Sequence, residues 1–197
     1  MPPVFVANHV YALILYAAYL VWLLPEVISS FTDTAGKTLK VNDRASGAVL
    51  FASIWLAVFT GYLFAFLVRA AAFEWQRPGL FFAGIALMLS GVAFRWYSIR
   101  VLGPYFTRQV AVQPGQTVVQ HGPYRWIRHP SYSGALLTLL GLGLVFTNWL
   151  SLLGVVAVAL LGYSYRVRVE EQTLVQELGE PYRAYVRRTK RFIPFLY

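Results

Sequence analysis

Residues 132–165 read YSGALLTLLGLGLVFTNWLSLLGVVAVALLGYSY, and the reading of this run decides the fold. It is apolar nearly throughout, yet too long for one membrane crossing, which needs about 20 residues. Thr147-Asn148-Trp149 interrupts it with two polar residues and a good turn former. The pattern predicts a tight helical hairpin whose first arm has about 16 residues, roughly 24 Å at 1.5 Å per residue. So short an arm starts below the head groups and draws the preceding loop inward. Gly134, Gly141 and Gly143, facing Gly154, Ala157 and Gly162, suit close packing of the two arms.

Three further apolar runs lie toward the N-terminus, at Asn8–Ser29 with Pro25 near its end, at Gly47–Val68 and at Leu80–Leu102. The chain is 58% hydrophobic and 13% charged, against about 25% charged in ordinary globular domains. The expected fold is therefore an all-α integral membrane domain filling residues 1–197. It has five transmembrane helices: three within 1–102, a loop over 103–131, the hairpin over 132–168 and a tail over 169–197. The first run lacks a basic leader and a small-residue cleavage site and continues past Pro25 and Glu26, so a retained helix is expected rather than a signal peptide.

The net charge of +9 first suggests nucleic acid, but the basic residues flank apolar runs. There they meet anionic lipid and set orientation, so no nucleic-acid partner is expected. With the N-terminus outside, all of the 17 Lys and Arg except Arg69 and Arg77 fall inside, counting Lys37, Lys40 and Arg44 with the later clusters. The positive-inside rule then puts the 103–131 loop and the tail on the cytoplasmic face. There is no cysteine, which excludes disulfides, thiolate metal sites and a cysteine nucleophile. The three His, at 9, 121 and 129, lack metal-ligand spacing, so no metal is expected.

Two polar clusters flank the hairpin. His121-Gly-Pro-Tyr-Arg-Trp-Ile-Arg-His-Pro-Ser-Tyr-Ser-Gly134 precedes it. Pro130 suits the first position of a helix, which leaves the N–H groups of Ser131, Tyr132 and Ser133 without intrahelical partners. With Arg128 and His129 beside them, these groups form either a cradle for an anionic ligand or an anchor to lipid phosphate. Tyr124, Trp126 and Tyr132 offer faces for a cation or for the membrane interface. The segment 116–120 reads as a short extended piece. After the hairpin, Arg166 and Glu170 stand four residues apart on one helical face, and Glu171 stands on the neighbouring face. An idle charge after an apolar run is expensive, and a guanidinium binds a carboxylate well in a partly dry site. Leu174, Val175, Leu178, Tyr182, Tyr185 and Val186 predict an amphipathic helix over Glu170–Lys190, broken near Gly179-Glu-Pro181 and lying on the cytoplasmic face.

Together these clusters resemble the isoprenylcysteine carboxyl methyltransferase family. The matching pieces are His121-Gly-Pro-Tyr-Arg-x-x-Arg-His-Pro-x-Tyr-x-Gly134, Arg166-x-x-x-Glu170-Glu171, and Gly179-Glu-x-Tyr182-x-x-Tyr185 with Arg191-Phe-Ile-Pro194. The broader group includes membrane phospholipid methyltransferases. The resemblance implies an enzyme that moves a methyl group from S-adenosylmethionine to a lipophilic acceptor entering from the bilayer. It implies a cofactor loop of His121, Gly122, Tyr124, Arg128, His129, Pro130 and Tyr132, with Glu171 supporting the cofactor end, and Arg166 and Glu170 as the catalytic pair. The acceptor is either a prenylated cysteine carboxylate or another lipid, such as a phospholipid amine. A non-catalytic lipid-binding protein and a nicotinamide-dependent membrane reductase are the competing classes. Membrane lipids are expected partners, and the oligomeric state is open.

Overall fold

The computed structural model describes residues 1–32 and 45–192, the side chains of 29–32 excepted. Lys37, Lys40, Arg44 and Pro194, which the sequence reading used, lie outside the described residues. A short helix α1 (Val4–Ala7) leads into α2 (His9–Thr32), followed by α3 (Ala45–Leu67), α4 (Arg77–Leu102), α5 (Pro130–Val145), α6 (Trp149–Leu178) and α7 (Glu180–Arg188). Among the described residues there is no sheet, only isolated bridges Ala72–Asn148 and Ile127–Lys190. Among the described residues four helices are long and apolar enough to cross a membrane, namely α2, α3, α4 and α6. The fifth expected crossing corresponds to α5, which has 16 residues and falls short of that length. Pro25 lies inside α2, which continues to Thr32.

The turn at Phe146–Asn148 is held by its own polar residues. Asn148 caps α6 by accepting from the Ser151 N–H at 3.0 Å, and its amide donates to the Val68 carbonyl at 3.0 Å. Ser151 Oγ donates to the Gly61 carbonyl at 2.8 Å. These bonds satisfy backbone and side-chain groups that have no water to turn to.

The glycine stripe packs elsewhere than expected. The two arms meet closely at Gly143, where an added Cβ would come 2.9 Å from Leu152. The other glycines of α5 face α4: a Cβ on Gly134 would meet Gly91 O and Arg95 N at 2.7 Å, and one on Gly141 would meet Gly84 O at 2.5 Å. Gly154 and Gly162 of α6 face Thr60 and Ser53 of α3. The cause is the period. Gly134, Thr138, Gly141 and Val145 form one face of α5, and Gly84, Met88, Gly91 and Arg95 form the matching antiparallel face of α4. The paired small residues let the backbones touch.

The tail also differs from expectation. No Gly or Pro lies between Tyr165 and Leu178, and the residues there are mostly good helix formers, so α6 runs unbroken through Glu170 to Leu178. The amphipathic part is α7 alone, which buries Tyr182 and Tyr185 and exposes Arg183, Arg187 and Arg188. The break falls where it was expected, at Gly179, whose φ of 62° suits glycine.

Candidate active site

The C-terminal end of α4, the start of α5 and the C-terminal half of α6 enclose a cleft with the 103–131 loop as its wall. It runs along α6 from Arg166 and Glu170, past Thr173 and Leu174, to Leu178. At 1.5 Å per residue that face is about 18 Å long. Val110, Ala111 and the irregular stretch 116–119 close one side. Tyr124, Tyr182 and Tyr185 close the far end, and Tyr132 and His129 lie on the α5 side.

At the end nearest the apolar core, Arg166 is 2% exposed. Its guanidinium donates to Ser46 Oγ at 2.7 Å, to the Arg108 carbonyl at 2.8 Å and to the Tyr132 hydroxyl at 3.3 Å. The Tyr132 hydroxyl in turn donates to Glu170 Oε2 at 2.6 Å. The expected catalytic pair is therefore linked through Tyr132, which the sequence reading had placed in the cofactor loop. The His129 ring stacks on Tyr132, with centroids 5.6 Å apart and planes within 7°. His129 Nδ1 lies 3.8 Å from Glu170.

Glu171 points the other way and ties three segments together. Its Oε1 accepts from Arg128 Nε at 2.7 Å and lies 3.3 Å from His129 Nε2, and its Oε2 accepts from Arg191 at 2.9–3.0 Å. Arg128 also donates to the Val186 and Thr189 carbonyls. Backbone bonds from Arg128 to Lys190 and from His129 to Arg191 complete the seam. The loop is thus pinned to residues 189–192, and Glu171 does not line the cleft.

Of the expected cofactor residues, Tyr124, Arg128, His129 and Tyr132 line the cleft. His121, Gly122 and Pro130 do not. His121 is exposed, Pro130 is the first residue of α5, and Gly122 sits with φ 57° against Val101 and Tyr97. The expected free N–H groups at the start of α5 are largely used, since Tyr132 and Ser133 both donate to the His129 carbonyl at 3.0 Å. Trp126 stays outside the cleft, 48% exposed, with Arg125 4.6 Å over its ring.

Two buried polar atoms of the cleft have no hydrogen-bond partner among the described residues: Tyr182 Oη and Gln109 Oε1. Buried polar groups are nearly always satisfied, so these two atoms have hydrogen-bonding capacity left for a water or a ligand in the cleft. Burial pushes the Tyr124, Tyr182 and Tyr185 hydroxyls above the ordinary phenol range, with Glu171 and Glu170 adding to the effect at Tyr182. They remain neutral near pH 7 and act as hydrogen-bonding groups rather than bases.

Sequence reasoning missed Glu26, Ser46, Gln109 and the cleft role of Tyr182. Glu26 carried a usable signal, because a lone carboxylate in an apolar helix is expensive. Ser46 and Gln109 carried none, since nothing local distinguishes them from other polar residues.

The model of the isoprenylcysteine carboxyl methyltransferase (ICMT) family matches residues 84–176. Similar proteins include the Saccharomyces cerevisiae protein-S-isoprenylcysteine O-methyltransferase, 31% identical over 115 residues, covering 57% of this chain and 48% of that protein. A probable protein-S-isoprenylcysteine O-methyltransferase of Oryza sativa is 28% identical over 117 residues, covering 58% of this chain and 61% of that one. Bacillus subtilis YpbQ is 30% identical over 102 residues, covering 50% and 60%. The chain thus spans about half to three-fifths of the length of these relatives. A solved structure of the eukaryotic intramembrane Ras methyltransferase ICMT superposes with a TM-score of 0.57 at 25% identity, covering 79% of this chain and 55% of that one.

Proposed function

We propose that this chain, similar to the isoprenylcysteine carboxyl methyltransferase family in sequence and fold, is an integral membrane methyltransferase using S-adenosylmethionine. The observation that carries the reading is the Arg166–Tyr132–Glu170 chain at the core end of a cleft whose Tyr182 and Gln109 keep orphaned polar atoms. Those atoms, the aromatic far end and the roughly 18 Å length fit an elongated ligand with a flat ring and polar edges.

The methyl donor, when bound, supplies an electrophilic methyl group on a sulfonium. Tyr124, Tyr182, Tyr185 and Leu178 would hold its ring end, and His129 and Tyr132 would face its charged end. Arg166 and Tyr132 would orient a lipophilic acceptor arriving from the bilayer beside α3 and α5. The protein's contribution is then positioning in a dry site. A carboxylate acceptor is already ionised near neutral pH and needs no base. An amine acceptor loses a proton, and Glu170 is the carboxylate in place to take it.

The relatives' names support the carboxylate of a prenylated cysteine as acceptor, and the broader group supports a phospholipid amine. The basic residues support an outside N-terminus and a cytoplasmic cleft. On that reading α5, about 24 Å long, makes a fifth crossing that starts below the head groups.

The test is methyl transfer from labelled S-adenosylmethionine by purified protein in detergent, offered N-acetyl-S-farnesylcysteine or phosphatidylethanolamine in parallel. Transfer to either supports the reading and chooses the acceptor class. Folded protein that neither transfers a methyl group nor binds S-adenosylhomocysteine at millimolar concentration overturns it.

A further inference from the structure

We infer that Glu26, in the first long helix and outside the family-matched region, is a positioning residue for Arg166 and Tyr132. The inference rests on the methyltransferase reading above for its kinetic consequences, and on geometry alone for the link itself.

Glu26 gathers two arginines. Its carboxylate accepts from Arg95 at 2.6 and 3.3 Å and from Arg108 at 3.2 Å, and its backbone carbonyl accepts a second bond from Arg108. Each arginine passes the constraint to one member of the site. The Arg108 carbonyl accepts from Arg166 at 2.8 Å. The Arg95 guanidinium donates to the Ser131 carbonyl at 3.3 Å, in the first turn of α5, one residue before Tyr132. One carboxylate on α2 therefore sets the reference for both groups that hold the reacting end.

Two features argue against a mere helix anchor. A helix anchor needs one partner, whereas this carboxylate holds two cations on different elements, α4 and the 103–131 loop. The partners are also part-buried, with side chains 15% and 32% exposed beside Glu26 at 22%, so the pairs are only weakly screened. Removing its charge leaves Arg108 only the backbone carbonyl of Glu26 and loosens the loop residue whose carbonyl aims Arg166.

The experiment is a double-mutant cycle in full-length protein with N-acetyl-S-farnesylcysteine as acceptor, or phosphatidylethanolamine if only that is methylated. Glu26→Gln is expected to lower kcat about tenfold, as couplings of this kind do. It should leave the affinity for S-adenosylhomocysteine within about twofold, because the ring end of the cleft is untouched. Glu26→Asp should recover part of the loss. In an Arg166→Lys background, Glu26→Gln should cost clearly less than it does alone, since the part of its effect that runs through Arg108 and Arg166 is already lost. Residues without shared partners give additive effects, so full additivity would overturn the inference. A parallel fall in activity and ligand affinity would overturn it too, as the mark of general destabilisation. If wild-type protein methylates neither acceptor, the same cycle is read in thermal unfolding, and if it also fails to bind S-adenosylhomocysteine the methyltransferase reading fails. Non-additive shifts there sustain the link from Glu26 to Arg166, and additive shifts end it.

Discussion

Arg166 is a buried cation that donates to Ser46, the Arg108 carbonyl and Tyr132. A guanidinium at 2% exposure is retained only where its donors are satisfied, and its planar fork makes the geometry particular to arginine. Arg166→Ala should reduce methyl transfer on the order of a thousandfold, and Arg166→Lys should rescue poorly. Steady-state rates at saturating methyl donor check both. Tyr132→Phe removes only the hydroxyl that joins Arg166 to Glu170. It should lower kcat on the order of a hundredfold while S-adenosylhomocysteine affinity, read by calorimetry, stays nearly unchanged. Unchanged kcat in Tyr132→Phe would remove that hydroxyl from the mechanism. At this scale the sequence revealed the spacing of Arg166 and Glu170, because both share one helical face. It did not reveal Tyr132 between them, since that contact spans two helices. Glu171 was legible as important, but its direction was not: two adjacent residues on a helix point about 100° apart, and only the fold decides which one faces the cleft.

Helices α4 and α5 touch through their backbones, because Gly84, Gly91, Gly134 and Gly141 leave no side chains between them. Gly141→Leu should therefore push the pair apart and destabilise by about 1–3 kcal/mol, as overpacking does, read as lowered thermal stability in detergent. Asn148→Ala removes the cap of α6 and the bond to Val68 and should cost about 1 kcal/mol in the same assay. The existence of these helices was legible from hydropathy, and the turn at Thr147-Asn148 from its polar pair. Their partners were not. A glycine stripe states that something approaches closely without naming the neighbour, so the expected arm-to-arm packing gave way to contacts with α3 and α4. The tail helix was misread for a related reason: amphipathic spacing after residue 170 looks the same whether a new helix begins or the membrane helix continues.

Across the whole molecule, the ends of α2, α4 and α6, the 103–131 loop and the segment 189–192 converge on one side. Glu26 and Glu171 are the two carboxylates that join them. Glu171→Gln should cost about 3 kcal/mol, because Arg128 loses its charged partner at a site with little water. A cysteine placed at Lys190 should be labelled by an impermeant maleimide only after the membrane is opened, as the distribution of basic residues requires. The integral membrane class was legible from composition, since nothing else accommodates so many long apolar runs. The approach of sequence-distant residues to Arg166, Ser46 directly and Glu26 through Arg108, was not, because no local pattern encodes it. The most direct measurement of the central claim is single-turnover transfer of a labelled methyl group from S-adenosylmethionine to N-acetyl-S-farnesylcysteine and to phosphatidylethanolamine, by wild-type protein and Arg166→Ala side by side. The prediction is transfer to one acceptor by wild type, its near loss in Arg166→Ala, and equal S-adenosylhomocysteine binding by both. Equal transfer by the two proteins, or none by folded wild type that also fails to bind S-adenosylhomocysteine, would contradict it.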